Sequence, residues 1–133
     1  MGHRMTTVLL DTHIVLWWFQ GAGKLSARAK GLLRDPEVTV MVSAVSAWEI
    51  AIKYKAGKLD AARAVVSRFQ AALEEEHFVE LPITVAHAVH AGLLEGFHKD
   101  PFDRMLIAQA RIESLPVVST DKCFDDFKVE RVW

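Results

Sequence analysis

The chain has 133 residues, 51% of them hydrophobic and 25% charged, the balance of an ordinary globular protein that fits one domain over positions 1–133. Its formal net charge of −1 lacks the basic excess of a dedicated DNA-binding domain, although an enzyme acting on nucleic acid needs only a local basic rim. No apolar run approaches the roughly 20 residues that span a bilayer, the run Val8-Leu9-Leu10 stops at Asp11 as a secretory leader would not, and the lone Cys123 forbids an internal disulfide, so a cytoplasmic protein without a membrane partner is expected.

Residues 1–4 read as a cloning remnant or an extended start, with Met5 the natural first residue. Residues 7–10 then form a short apolar run of the kind a buried strand requires. A short helix over 13–18, the loop "GAGK" at 21–24 and a helix over 26–34 with Ser26 as its cap follow, until Asp35-Pro36 breaks the pattern. "VTVMV" at 38–42 is β-branched and reads as a second strand. Ser43 opens a helix to about Ala56, which Gly57 closes. Over 60–76 the apolar residues Ala61, Val65, Val66, Phe69, Ala72 and Leu73 recur at helical spacing. A third strand at 77–81 ends at Pro82, Thr84 caps a helix to about Leu94, and Asp100 starts one that runs through Glu113. Pro116 introduces the strand "VVST", a helical turn covers 122–126, and "VERVW" is a final strand. Strands alternating with helices specify an α/β domain built on a mainly parallel sheet.

Functional groups in such sheets collect beyond the carboxyl ends of the strands. Four acids fall there: Asp11 after the first strand, Glu49 early in the helix after the second, Asp103 in the first turn of its helix, and Asp121 after "VVST". Each has a purely structural explanation. An acid at a helix N-terminus gains about 0.3–1 kcal/mol from the helix dipole. Asp100 fits an N-cap with Pro101 behind it, which puts Asp103 at a capping-box position. Ser46-x-x-Glu49 mimics another capping box, and Lys53 is the i+4 ion-pair partner of Glu49. Asp11 and Asp121 suit caps as well. Gathered on one rim, however, the four would repel and raise one another's pKa values. A divalent cation removes that conflict. Mg²⁺ takes oxygen ligands and keeps several waters, so a carboxylate set without a Cys or His shell suits it better than zinc.

Other signals carry less. "GAGKLS" is not a phosphate loop, because Trp18 stands where the first Gly belongs and Leu25 follows Lys24. His87 and His90 are helix neighbours with no third ligand in view, which favours packing over zinc. Neither G-x-S-x-G nor H-E-x-x-H occurs. Asp11-Thr12-His13 lacks the second Asp of an aspartyl-phosphate phosphatase. Asp125 and Asp126 read as solvated.

The stretches "VLLDTHIVLWW", "SAVSAWEIAIKYKAGKL", "HKDPFDRMLIAQA" and "VVSTDKCFDDF" together resemble the PIN-domain family, and within it the VapC-type ribonuclease toxins of bacterial toxin–antitoxin pairs. The resemblance covers nearly the whole chain from about Met5, with the motifs in the family's order. It implies a three-layer α/β fold, a parallel sheet of about five strands with helices on both sides. It implies Mg²⁺- or Mn²⁺-dependent cleavage of RNA, with Asp11, Glu49, Asp103 and Asp121 as catalytic and metal-binding residues. Asp121 falls on the family's least constant acid. Thr120 matches a hydroxyl residue that supports the last acid, and Asp100 remains the helix cap. The expected reaction is hydrolysis by water, leaving 5′-phosphate and 3′-hydroxyl ends, since no His lies among the motif acids and water does not need the ribose 2′-hydroxyl. Lys53, Arg104 and Lys122, with Lys55 and Lys58, are candidates for a basic rim that meets the RNA backbone. A cognate antitoxin and a homodimer are the implied protein partners. Trp17 and Trp18 are adjacent, so a helix cannot turn both to one face; one is expected inside and the other at such an interface. The alternatives are a housekeeping PIN-type nuclease and a catalytically silent PIN-like binding module.

Overall fold

Val8, Leu9 and Leu10 are fully buried, as expected of a strand covered on both faces. The computed structural model describes residues 6–21, 23–58, 63–96 and 100–133. Strand β1 (Thr7–Leu10) is the centre of a sheet in the order β3-β2-β1-β4-β5, with β2 at Thr39–Ser43, β3 at Val79–Leu81, β4 at Val117–Val118 and β5 at Arg131–Val132. Every pairing is parallel, and Leu10 lies opposite Val42 on one side and Val118 on the other. The helices are α1 (Thr12–Phe19), α2 (Ala27–Arg34), α3 (Ala44–Lys55), α4 (Arg63–Ser67), α5 (Phe69–Glu75), α6 (Val85–Gly92) and α7 (Pro101–Glu113), and a 3-10 helix spans Lys122–Phe127.

The period-2 alternation of a strand divides the core. Val8 and Leu10 pack with Ile14, Val15 and Leu16 of α1, Ala29 and Leu33 of α2, and Leu73 of α5. Leu9 points the other way, to Leu106, Ile107 and Ala110 of α7 and to Phe124. The expected three layers are therefore present. Among the described residues, no helix is long and apolar enough to cross a membrane.

Local capping chemistry starts the helices where the sequence indicates. Ser26 accepts the Ala29 N–H at 3.1 Å, Ser43 accepts the Val45 N–H at 3.0 Å, and Thr84 accepts the His87 N–H at 3.1 Å. The helix expected over 60–76 is two helices. Arg68, at φ −144° and ψ 44°, separates α4 from α5, and the expected start at residues 60–62 lies outside the described residues. The strand expected from residue 77 begins at Val79, because His77 adopts φ +58° to end α5. "VVST" shortens to Val117–Val118 and "VERVW" to Arg131–Val132. The expectation that one of Trp17 and Trp18 packs inside is met in part by each. Both are partly buried: Trp17 meets His13 and Trp133, and Trp18 meets Phe78. Rings on either side of α1 receive one indole each, so the helix does not have to choose between them. The residues proposed as a remnant, 1–4, lie outside the described residues.

Candidate active site

The carboxyl ends of β1 and β4 set the floor of a cleft. Asp11 follows β1 directly and is only 2% exposed. Its Oδ1 accepts the Thr12 N–H at 2.7 Å, capping α1, and its Oδ2 accepts the Ser119 hydroxyl at 2.6 Å. His13 Nδ1 lies 3.4 Å from the same Oδ2. Burial holds the Asp11 pKa above the ordinary carboxylate value, and the negative charge of Asp121 adds to it; His13, the Ser119 hydroxyl and the Thr12 N–H pull the other way.

Helix α3 delivers Glu49. The Ser46-x-x-Glu49 capping box is not formed, because Ser43 is the cap and Ser46 lies inside the helix. The Ser46 hydroxyl instead bonds that of Thr12 at 2.9 Å and ties α3 to α1. Glu49, one turn further on and 7% exposed, receives Lys53 Nζ at 2.6 Å, the expected i,i+4 pair. The Lys53 ammonium is held above its ordinary pKa by that hydrogen bond first, with the charges of Glu49, Asp100 and Asp103 reinforcing it against desolvation.

Asp100 caps α7 by accepting the Phe102 and Asp103 N–H groups at 2.9 and 3.2 Å. Pro101 occupies the first turn, where its missing N–H is not needed. Asp103 thereby lies at the helix start, close to Asp121. Asp121 caps the 3-10 helix through the Cys123 N–H at 2.9 Å, while its own N–H donates to Ser119 Oγ at 2.9 Å. Ser119 therefore couples the backbone of Asp121 to the carboxylate of Asp11.

These elements enclose a cleft of about 190 Å³ lined by Asp11, Thr12, His13, Leu16, Glu49, Lys53, Asp100, Asp103 and Asp121. The four acids singled out in the sequence thus share one cleft, with Asp100 beside them. Five carboxylates meet a single ammonium among the lining residues. Single ligand atoms of Asp103, Asp121 and Cys123 lie within 4.8 Å of one another. Burial, and then the charges of Asp121 and Asp103 with a smaller contribution from Asp11, hold the Cys123 thiol far above its ordinary range. Oxygens of Asp103 and Asp121, from two separate elements, therefore lie close together beside Cys123. A surplus of acceptor oxygens in a small cleft with room for water fits a hard divalent cation.

The remaining candidates are dispersed. Thr120 is exposed, and its Oγ1 lies 3.2 Å from Nε2 of His13, which lines the cleft. Lys122 is exposed at the start of the 3-10 helix, and Lys55 and Lys58 are exposed around the end of α3. Arg104 turns away from the expected rim and donates to the carbonyls of Ala91 at 2.8 and 3.1 Å and of Gly92 at 3.1 Å, bracing the end of α6. Among the described residues His87 joins no metal-ligand group; it is buried and bonds Glu113 at 2.7 Å. His13 and Ser119 escaped the sequence reading. Their adjacency to Asp11 and Asp121 was the available signal, but the contacts that matter span more than a hundred residues.

The match to the PIN-domain family model extends over residues 8–130. Over 118 residues, 89% of each chain, the sequence is 31% identical to Ribonuclease VapC22 from Mycobacterium tuberculosis. Among solved structures, VapBC2 from Rickettsia felis, bound to a DNA fragment from its promoter, is similar with a TM-score of 0.69 at 15% identity, covering 96% of this chain and 98% of that one. DNA-bound VapBC from Salmonella typhimurium gives a TM-score of 0.65 at 17% identity, covering 97% of this chain and 98% of that one. At those identities the two structures speak for the fold. A sheet ordered β3-β2-β1-β4-β5 with acids beyond its strand ends, and a family match across almost its whole length, place the chain in the PIN-domain family.

Proposed function

We propose that this chain is a metal-dependent endoribonuclease, acting in the cytoplasm as the toxin of a toxin–antitoxin pair. The observation that carries the reading is the cleft itself: Asp11, Glu49, Asp103 and Asp121 in one small volume, on a chain 31% identical to a ribonuclease. These four residues would hold Mg²⁺, or Mn²⁺ in its place. When bound, such an ion supplies Lewis-acid chemistry, acidifying water and offsetting the charge that develops on the phosphate under attack.

The rest falls to the chain's own groups. Ser119 fixes the Asp11 carboxylate by a short hydrogen bond, so its orientation does not depend on the ion. Lys53 partly neutralises Glu49 and lowers the repulsion among the acids. His13, which lines the cleft, is held by Thr120. Lys53 and Lys122, with Lys55 and Lys58, are basic groups that would meet the RNA backbone, and Asp100 keeps its capping role. Support for an antitoxin partner comes from the solved VapBC structures, which are complexes. Support for a homodimer comes from α6, where Val85, Val89 and Leu93 form an exposed apolar stripe, 81%, 55% and 77% accessible.

The test is expression of the wild type and Asp103→Asn without any partner protein. Growth arrest and EDTA-sensitive RNA cleavage with 5′-phosphate ends, by the wild type alone, are expected. Equal behaviour of the two proteins would overturn the reading.

A further inference from the structure

We infer that Trp48, seated against Phe102, is a stacking platform for an unpaired RNA base beside the scissile phosphate; the inference rests on the ribonuclease reading above. Trp48 is 58% exposed, whereas Trp17, Trp18 and Trp133 are partly buried against rings of their own chain. Trp48 does not line the cleft itself but immediately precedes a residue that does. On α3, Glu49 and Lys53 line the cleft at i and i+4, and Trp48 and the 43%-exposed Ile52 form the next row of the helix, one residue earlier in each turn. On α7, Asp103 lines the cleft and Phe102 precedes it. The rings of Trp48 and Phe102 meet edge to face, with centroids 5.1 Å apart and planes at 70°. The aromatic pair therefore bridges the same two helices that present Glu49 and Asp103, one residue before each of those carboxylates.

Phe102 is half-buried against the core formed with α7, so it holds the indole in place while most of Trp48 stays in water. A ring fixed in this way loses little freedom when a flat ligand covers it. Electrostatics give a second reason to assign a base to it. Among the described residues five carboxylates and one ammonium line the cleft, and the whole chain carries a formal charge of −1, so phosphate contacts through Lys53, Lys122 and a bound cation leave a part of the affinity for the bases to supply. Stacking supplies affinity that does not depend on phosphate charge. In a duplex the bases are already stacked on one another, and only a loop, bulge or single strand can present a free face to the indole. The role that follows for Trp48 is to receive an unpaired base next to the cut.

The test uses Asp103→Asn protein, which leaves the RNA intact, with and without Trp48→Ala or Trp48→Phe. Fluorescence anisotropy then measures binding to a labelled single-stranded oligoribonucleotide, to the same strand carrying abasic sites, and to the paired duplex. Trp48→Ala is expected to weaken single-strand binding about 5- to 150-fold, Trp48→Phe no more than about threefold, and neither to change duplex or abasic binding. Unchanged single-strand binding by Trp48→Ala overturns the platform, as does an equal loss on duplex and single strand. A change of oligomeric state by light scattering, with RNA affinity intact, assigns the indole to a protein contact and also overturns it. Cleavage by the otherwise wild-type protein is scored separately. Retained cleavage with an indifferent Trp48 removes this inference alone, whereas an otherwise wild-type protein that neither binds nor cleaves RNA removes both.

Discussion

Two buried polar clusters lie on opposite sides of this molecule's chemistry. At the joint of α6 and α7, Ser43 donates to Gln109 Oε1 at 2.6 Å, and Gln109 Nε2 donates to the Pro82 carbonyl at 3.3 Å. His87 Nδ1 accepts the Thr84 N–H at 3.0 Å, and its Nε2 reaches Glu113 at 2.7 Å. Ser43, His87 and Gln109 are at most 1% exposed, and each donor meets an acceptor. The cleft holds polar groups at comparable depth with the opposite balance: carboxylate oxygens outnumber donors, and burial makes the imbalance costly. A matched network holds elements together and has nothing left to offer a ligand. An unmatched one weakens the fold locally and leaves a place for a cation. The balance of donors to acceptors, more than burial, separates structure from function here.

That contrast can be broken by mutation. The largest expected effect is in the cleft: Asp103→Asn lowers RNA cleavage about 10²- to 10⁴-fold, the rate equivalent of several kcal/mol of charge stabilisation. In EDTA the same variant melts at or above the wild-type temperature, because one repelling charge is gone. Saturating Mg²⁺ raises the wild-type midpoint and leaves the variant unmoved. Differential scanning fluorimetry with a cleavage assay reads both, and an Asp103→Asn protein that melts lower without metal would refute the surplus-charge account.

At the joint the pattern inverts. Gln109→Leu leaves Ser43 and the Pro82 carbonyl without their partner and costs about 1–3 kcal/mol by urea unfolding. Its cleavage rate at 25 °C is expected to stay within about twofold of wild type. A large loss of cleavage in a protein that is still folded would show that the joint and the cleft are not separate.

Ser119→Ala sharpens the comparison, since it removes a donor from the side already short of them. The Asp11 pKa, raised by burial and eased by this hydroxyl, rises further, and the acid limb of the cleavage profile moves to higher pH. A profile unmoved, or moved to lower pH, contradicts the role given to Ser119. The smallest effect is on stability against pH in EDTA. Asp11 binds its proton more tightly folded than unfolded, so its contribution strengthens as pH falls through its folded value and weakens as pH rises. Urea midpoints followed upward from about pH 4 should therefore slope less steeply downward in Asp11→Asn than in wild type.

What the sequence determined by itself was local. The apolar run before Asp11 had to be a strand covered on both faces. Ser26, Thr84 and Asp100 had to start helices, because a cap acts on N–H groups only two or three residues away. The positions of Asp11, Glu49, Asp103 and Asp121 at strand ends and helix starts followed from the alternation of elements, and motif resemblance supplied the reason to consider them together. The tertiary structure decided what no local signal encodes. It brought Ser119 to Asp11 across 108 residues and Thr120 to His13 across 107. It broke a periodic helix at Arg68, turned Arg104 to the end of α6, gave Trp17 and Trp18 separate places and left Trp48 in water. Propensities and caps act over about one helical turn, whereas the partner of a side chain is fixed by which strands lie side by side, and that order exists only once the sheet has formed.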